Sequence, residues 1–276
     1  MSASRIKNLI LLILLLAVLC LSIAVVPAKV AQARRESDRN EQLSDLFAQY
    51  NIAVDAQGLP KSVTLYSLEL AQADANAAAT ALLGPDAVKE ESSTRYESRY
   101  FSASGTVAIT SSGEFHAVLS GRKPVRTAEK DAQKVLRAIG FQPDSLQTVR
   151  SEKGKYTVTA KQCLLGVAVF SDGLQLRYED GALCSIEGTF YPGTENLTRI
   201  SDETCINCAD ALVQLLACRN ELGWVGSRIL TASQGYFPSE SASGAMRFVP
   251  CWRIETDTGA FLVSGITREV HRIEEG

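Results

Sequence analysis

The stretch TAEKDAQKVLRAIG, residues 127–140, predicts an amphipathic helix that is capped by Thr127 and closed by Gly140. After it, apolar and polar side chains alternate in short segments, which is typical of half-buried strands. Asp-Gly pairs at 172–173 and 180–181 separate some of these segments and favour tight hairpins. A helix packed on an antiparallel sheet is therefore the predicted unit of the fold.

The same plan occurs twice more along the chain. Helices are predicted over residues 74–83 and 202–222, each ending before a glycine, and Ser201 or Asp202 is the expected cap of the second. The predicted strands span residues 96–101, 105–110, 114–119, 156–160, 166–170, 174–178, 182–191, 228–231, 247–256, 260–264 and 269–273. The predicted fold class is therefore α+β, with serial modules that each pack a helix on an antiparallel β-sheet.

The chain has 276 residues, which is long for one domain, so we divide it into consecutive units. The predicted units are a short tail at 1–8, an apolar segment at 9–26, a polar stalk at 27–58, and α+β modules at 59–122, 123–192 and 193–276.

The apolar segment at residues 9–26 is long enough to cross a bilayer. Ser22 is its only polar residue, and a helix of this length covers about 27 Å. In lipid, only a helix satisfies all the backbone groups of one isolated segment. We therefore predict a single-pass transmembrane helix at the N-terminus, with a cytoplasmic tail and an extracytoplasmic C-terminal region.

Other interpretations of this segment stay open. Ala31-Gln32-Ala33 is compatible with signal-peptide cleavage, although the apolar run exceeds the usual signal core of about 7–15 residues. Arg5 and Lys7 are outnumbered by the basic residues after the segment, and charge alone would favour the opposite orientation. A short tail before the first hydrophobic segment is nevertheless the usual export signal, so we place the large part outside.

The composition excludes two broad classes of protein. Hydrophobic residues make up 46% and charged residues 21%, which excludes wholesale disorder. All 31 acidic residues and 26 of the 28 basic residues follow residue 27, and no basic stripe stands out among them. An acidic surface repels the phosphate backbone, so no nucleic-acid partner is expected.

Candidate catalytic groups are few. The two histidines, His116 and His271, lie in separate strand-like segments, and no H-E-x-x-H, G-x-S-x-G, P-loop or EF-hand motif occurs. Residues 120–123 match S-x-x-K, but Gly121 and Pro124 indicate a turn where that motif needs a helix. We therefore predict no catalytic residue, no cofactor and no metal site.

Cys205 and Cys208 form a C-x-x-C pair near the start of a predicted helix. A helix dipole lowers the pKa of a thiol at this position, so an envelope thiol oxidoreductase is one hypothesis. Both cysteines share one apolar helical stripe with Leu212, Leu215 and Leu216. This pattern favours a role in core packing.

Six of the seven cysteines follow the apolar segment, an even number that is compatible with disulfides in an oxidising compartment. Six cysteines allow about fifteen connectivities, and sequence does not choose among them. The pairings considered are Cys163–Cys184 on neighbouring predicted strands, Cys205–Cys208 and Cys218–Cys251.

Three stretches resemble the YycH/YycI family of membrane-anchored regulators of Gram-positive bacteria. RIKN at 5–8, before a Leu/Ile-rich span, resembles the family's N-terminus. GVAVFSDGL at 166–174 resembles its middle strand and turn, with Ala168 in place of proline. FVPCWRI at 248–254, continued by FLV at 261–263, resembles its closing hairpin, a pattern that also occurs in PepSY-like domains.

One stretch departs from the family pattern. Where the family has Asn-Ala-x-Thr-Gly-Glu-Val, residues 264–270 read SGITREV, so Arg268 replaces the turn glycine. Residues other than glycine disfavour positive φ. We therefore expect no tight positive-φ turn at Arg268.

The resemblance implies a protein without catalytic activity that regulates a WalK/YycG-like sensor histidine kinase, together with a YycH-like homologue. It implies that residues 9–26 pack against kinase helices in the membrane, where Ala17, Ser22 and Ala24 permit close approach. Such regulation requires different affinities for the two signalling states of the kinase. The alternatives are an anchored or secreted PepSY-like binding or inhibitory module and the thiol oxidoreductase.

Large aromatic residues are further candidates for contacts with a partner. Trp224, Tyr236 and Trp252 lie in or beside predicted strands and helix ends. Residues of this kind are core residues more often than interface anchors, so we predict that they are buried.

Overall fold

The computed structural model describes residue 14 and residues 39–55, 58–70, 75–91, 97–152, 154–241 and 244–273. No helix within these residues is long and apolar enough to cross a membrane. Of the apolar segment at 9–26 they include only Leu14, and Ala17, Ser22 and Ala24 lie outside them. The transmembrane helix therefore stays a prediction.

The described residues form a mixed α+β structure with a large antiparallel sheet and few helices. The helices are α1 (39–49), α2 (Asn76–Leu83), α3 (Ala128–Ala138) and α4 (Cys208–Ala217). The strands are β1 (Tyr66–Leu70), β2 (Val88–Lys89), β3 (Glu97–Ser102), β4 (Gly105–Thr110), β5 (Glu114–Leu119), β6 (Pro143–Glu152), β7 (Lys155–Leu164), β8 (Val167–Val169), β9 (Leu174–Glu179), β10 (Ala182–Thr189), β11 (Thr198–Thr204), β12 (Ile229–Glu240), β13 (Met246–Thr256), β14 (Gly259–Ser264) and β15 (Val270–Ile273). The predicted α+β class is confirmed.

Helix α3 shows why the quoted stretch folds as predicted. It begins after Thr127, which holds the predicted cap position, although its side chain makes no capping hydrogen bond. The helix carries Glu129 and Asp131 in its first turn and Arg137 in its last, so the charges complement the helix dipole. Gly140 follows with φ 79°, which a residue with a side chain adopts only at a cost. Helix α2 also forms where a helix was predicted and ends at a glycine with positive φ.

The third helix differs from its prediction. Helix α4 spans Cys208–Ala217, so both its start and its end differ from the predicted 202–222. Residues 202–204 belong to β11, which pairs with β1, and residues 218–223 form turns. Asn207 is the actual cap, and its side chain accepts a hydrogen bond from the Asp210 N–H at 3.0 Å. The predicted cap at 201–202 is therefore wrong, because pairing with β1 overrides the local helical pattern.

One continuous sheet contains the fifteen strands. Along its main path the strand order is β11-β1-β13-β12-β8-β7-β9-β10-β5-β4-β3-β2, with β14 and β15 continuing from β13 and with β6 beside β7. Strands β8 and β12 pair in parallel. Strand β7 joins the two halves, because its first part pairs with β6 and β9 and its last two residues, Cys163 and Leu164, pair with β8.

Helices α2 and α3 pack on the same sheet and share one hydrophobic core. Leu82 of α2, Leu136 of α3 and Leu176 of β9 are buried in it. Burial of one such side chain contributes about 1.5–3 kcal/mol, so the shared core holds both helices to the sheet. Strand β1, from the first predicted module, pairs with β11 and β13 of the third. The module boundaries themselves stay a prediction.

Helices α1 and α4 form a second core on one face of β12–β15. Leu43 and Phe47 of α1 and Leu212 and Leu215 of α4 are buried with Trp252 of β13. Side chains on a strand alternate between its two faces. The neighbours of Trp252 along β13 therefore point to the opposite face of the sheet.

Four strands have no predicted counterpart: β1, β2, β6 and β11. Strand β6 starts at Pro143 and, among the described strands, pairs only with β7. Proline is tolerated at the first position of such an edge strand because its missing N–H breaks no ladder on the outer side.

The turn between β14 and β15 contradicts the expectation for Arg268. This residue has φ 63°, in the left-handed region. Its N–H donates to the Ser264 carbonyl at 3.1 Å, and the Ser264 N–H donates to the Glu269 carbonyl at 2.8 Å. The Thr267 N–H donates to Ser264 Oγ at 3.1 Å. These hydrogen bonds hold the tight turn without a glycine.

Candidate functional site

Cys205 and Cys208 lie in or beside the core under α4. Burial raises the pKa of the Cys208 thiol to about 12, against a smaller opposing effect of Arg39. Burial also raises the pKa of Cys205, although hydrogen bonds with Gln234 and Trp252 oppose the rise. Both thiols are therefore protonated at neutral pH. The expected lowering of their pKa by the helix dipole is wrong, and the packing interpretation agrees with their burial.

This protonation predicts slow alkylation of Cys208. A rise in pKa from 9.0 to about 12 lowers the thiolate fraction at pH 8 by about a thousandfold. We expect iodoacetamide at pH 8 to modify Cys208 at least ~100-fold more slowly in the native protein than in the urea-unfolded chain. Peptide mapping by mass spectrometry measures both rates. Comparable rates in the two states would contradict the buried environment of the thiol.

None of the three considered disulfides is present, since the six described cysteines are free. Cys163 is on β7 and Cys184 on β10, and β9 lies between them, so the two strands are not neighbours. Cys251 is on the face of β13 opposite to Trp252. Cys218 directly follows α4, which packs on the face that carries Trp252, so Cys218 and Cys251 are on opposite faces of the sheet.

The histidines are on separate strands, as predicted. His116 on β5 has its Nδ1 3.9 Å from Glu187 Oε1, and Arg177 lies 3.1 Å from the other carboxylate oxygen. His271 is an exposed residue of β15. Within the described ranges, no three histidine, cysteine or acidic side chains are arranged to hold a metal ion. Residues 120–123 lie outside the helices, as expected.

A groove crosses the face of β12–β15 opposite to α1 and α4, and we call it the open-face groove. Its residues come from neighbouring strands. Phe237 on β12 is opposite Val249 on β13, and Arg253 on β13 is opposite Leu262 on β14. Directly opposed residues point to the same face of a sheet. The groove therefore lies on β12, β13 and β14, which are paired with one another.

One part of the open-face groove is apolar. It has a volume of about 560 Å³, and its lining includes Phe237, Val249, Cys251, Leu262, His271 and Ile273. The Phe237 side chain is 43% exposed, an uncommon position for a phenylalanine in the middle of a strand. Burial raises the pKa of Cys251, so this thiol also acts as an apolar group.

The adjoining part is polar, with a volume of about 570 Å³. Lys161 Nζ donates to the carbonyls of Ser171 and Asp172 at 3.0 and 3.1 Å, and Arg253 lies 3.3 Å from a carboxylate oxygen of Glu255. The two parts share Phe237, Leu262 and Ile273. Because these cations are engaged with oxygen atoms of the chain, the groove offers apolar contact more than free charge.

Two of the stretches that carry the family resemblance meet at this groove. Residues 166–174 supply β8 and the turn that forms one wall, including Ala168 and Ser171. Residues 248–254 and 261–263 supply its floor on β13 and β14. An exposed apolar groove with polar edges is typical of a surface that binds protein.

Trp224, Tyr236 and Trp252 are buried, as predicted. Phe237 was missed as a surface candidate because the sequence predicted a strand only over 228–231, whereas β12 continues to residue 240. Pro238 weakens the strand signal there, since proline is depleted in strands. The sequence did contain one indication of this surface. Successive side chains of a strand alternate between its two faces, so Val249 and Cys251 in the predicted strand β13 share a face.

Comparison with known proteins identifies the fold but no family. No family model matches the chain, and no curated protein matches it. An uncharacterized protein from Eubacterium rectale has a similar structure, with a TM-score of 0.50 and 10% identity, over 76% of this chain and 87% of that chain. The C-terminal domain of Bacillus megaterium YpeB gives a TM-score of 0.36 and 12% identity, over 74% and 100% of the two chains. The Eubacterium rectale protein shares the fold, and at this identity the likeness extends no further.

Proposed function

We propose that this chain is a non-catalytic, membrane-anchored regulator of a sensor histidine kinase, and that the open-face groove is its extracytoplasmic contact surface. The observation that carries the proposal is the groove itself, where the exposed Phe237 and half-buried apolar side chains of β13–β15 lie beside paired charges. Apolar surface that is left open on a soluble module favours association with another protein. The resemblance to the YycH/YycI family supports the choice of a kinase as the partner.

The anchor is part of this proposal. Residues 9–26 would cross the cell membrane and pack against kinase helices through Ala17, Ser22 and Ala24, with the N-terminus in the cytoplasm. A YycH-like homologue is the second proposed partner, and a PepSY-like fold is proposed for the modules from the pattern at 248–254. Regulation would follow from unequal affinity for the two states of the kinase.

Exchange of the anchor tests the membrane contact. Full-length chains are crosslinked to the kinase in membranes, either with the native 9–26 segment or with an unrelated apolar span of equal length. Weaker kinase capture with the foreign span is the expected result. Unchanged capture would show that the helix contact is not part of the mechanism.

Substitution in the groove tests the extracytoplasmic contact. Phe237→Lys places a charge in the apolar part of the groove and is expected to weaken kinase capture at least about tenfold, the effect of losing a central apolar anchor. The matched control is Val149→Lys on edge strand β6, where the side chain is 51% exposed. Pull-down of the tagged kinase from solubilised membranes measures both variants. An equal loss in the two variants would contradict the assignment of the groove.

The thiol hypothesis makes a different prediction. Cys205→Ala and Cys208→Ala are expected to leave kinase regulation intact, because both thiols are held protonated by burial. Loss of regulation in both variants, with thermal unfolding unchanged, would favour the thiol oxidoreductase.

A further inference from the structure

Helix α3 carries a row of basic side chains on its solvent side. Lys130, Lys134 and Arg137 are exposed and lie three or four residues apart, which places them on one side of the helix. Lys123 and Arg126 are exposed in the segment just before the helix. We call these five residues the α3 basic stripe.

The α3 basic stripe is a local exception in an acidic chain. Residues 123–137 contain five basic and two acidic residues, whereas the whole chain has 28 basic and 31 acidic ones. The stripe is not evident in the sequence because Glu129 and Asp131 interrupt it. In the structure the Asp131 carboxylate accepts a hydrogen bond from the Tyr178 hydroxyl of β9 at 3.0 Å, so it is turned toward the sheet. Among the described residues, no carboxylate forms an ion pair with a cation of the stripe.

The surface around the stripe has no apolar anchor. Neither α3 nor the neighbouring helix α2 exposes a large apolar side chain, and α2 contains no charged residue. Protein interfaces usually have aromatic or other apolar residues at their centre and are depleted in lysine. Binding to an anionic lipid surface needs only cations close to that surface, and each cation adds to the attraction. This surface therefore fits an anionic bilayer better than a protein.

Helices α3 and α1 lie on the same face of the sheet. Ala160 of β7 is buried with α2 and α3, and Leu164, four residues further along the strand, points to the same face. Leu164 shares a core with Tyr236 of β12. Tyr236 and Gln234 are on one face of β12, and Gln234 is opposite Trp252, which is buried under α1 and α4. The helices therefore form one layer on this face.

The predicted anchor leads into the same layer of helices. Residues 27–38 lie between the apolar segment and α1. A stretch of this length spans at most about 40 Å when it is fully extended. A membrane-inserted anchor would therefore keep the layer of helices within reach of the bilayer surface.

We infer that the α3 basic stripe binds the anionic lipid headgroups of the membrane that holds the anchor. The inference rests on the anchor in the proposed function and does not involve the kinase. Bound in this way, the chain turns its helices toward the bilayer. The open-face groove, on the other face of the sheet, stays accessible.

Photocrosslinking from Ala138 tests the contact without removing a cation. Ala138 is exposed about one helical turn after Lys134. The full-length chain with a photoreactive amino acid at this position is reconstituted into vesicles of phosphatidylcholine, alone or in an equal mixture with phosphatidylglycerol. We expect at least ~10-fold more crosslinked lipid in the anionic vesicles, and loss of this excess at high salt. The control position is Val149, which is 51% exposed on the opposite face of the sheet and is expected to show no such excess.

Removal of charge provides the second arm of the test. Lys130→Gln combined with Lys134→Gln is expected to lower the crosslinked phosphatidylglycerol at least about tenfold, since each cation near an anionic surface strengthens binding about fivefold. The matched control, Arg99→Gln combined with Arg177→Gln, removes two cations from the opposite face and is expected to leave the yield unchanged. A similar fall in both double variants, equal yields with the two vesicles, or crosslinks to a second protein chain in place of lipid would overturn the inference.

Alkaline carbonate extraction of the same vesicles distinguishes this inference from the anchor. We expect the full-length chain and both double variants to stay in the membrane pellet. Release of the chain without substitutions would overturn the anchor and this inference together. Retention of all the chains without an effect of the stripe would overturn the inference alone.

Discussion

Replacement of Trp252 by alanine is expected to lower the free energy of unfolding by about 3–5 kcal/mol, the range for removing a large aromatic side chain from a packed core. Trp252 is fully buried between β13 and the helices α1 and α4. Its Nε1 donates to the Ile206 carbonyl at 2.8 Å, just before α4 begins. The substitution therefore leaves a cavity and an unpaired carbonyl at the same place. Urea-induced unfolding, followed by circular dichroism, measures the loss.

Trp252→Phe is the matched control. It keeps most of the ring and removes the hydrogen bond to Ile206, so a loss of about 1–2 kcal/mol is expected. A loss below about 1 kcal/mol for the alanine variant would contradict the close packing of α4 on β13.

The second large effect is expected at Gly188 on β10. The residue has φ 128°, and a Cβ built there would lie 2.1 Å from the Gly173 carbonyl oxygen. That oxygen also accepts a hydrogen bond from the Thr189 N–H at 2.7 Å, so it cannot move freely. Because β10 lies between β5 and β9, the backbone has little room to relax. Gly188→Ala is expected to cost at least about 3 kcal/mol, or to prevent folding.

Gly121→Ala separates conformational strain from steric clash. Gly121 has φ 69°, but a Cβ there would meet no atom within 4 Å. We therefore expect this variant to lose only about 1 kcal/mol. Urea unfolding of both variants, compared with the native chain, provides the measurement. Similar losses at the two positions would show that the close approach between β9 and β10 is not important for stability.

The local signals predicted much of the fold. The strands at 105–110 and 114–119 were placed at their observed bounds, and the helix at 128–138 agrees within about one residue at each end. These elements have strong periodicity and clear turn residues at their ends. The predicted start of the third helix was wrong, because residues 202–204 belong to β11, which pairs with β1 far away in the chain.

The candidate site was less accessible to prediction. Cys205 and Cys208 were identified as a pair, but only the structure shows how strongly burial raises their pKa values. Phe237 gave no distinct signal, because its role depends on which face of β12 the helices cover. The left-handed conformation of Arg268 was not expected, since the turn is held by hydrogen bonds from the Arg268 N–H to the Ser264 carbonyl and from the Ser264 N–H to the Glu269 carbonyl.

By itself, the sequence determined the α+β class, the two helices at 76–83 and 128–138, and most of the strands and hairpin turns, because these depend on neighbouring residues. Only the tertiary structure decided that α2 and α3 share one core and that β1 pairs with β11 and β13. It alone also left one face of β12–β15 open as a groove. These features join residues that are far apart in the chain, so they follow from the burial of apolar surface in the whole fold and not from any local pattern.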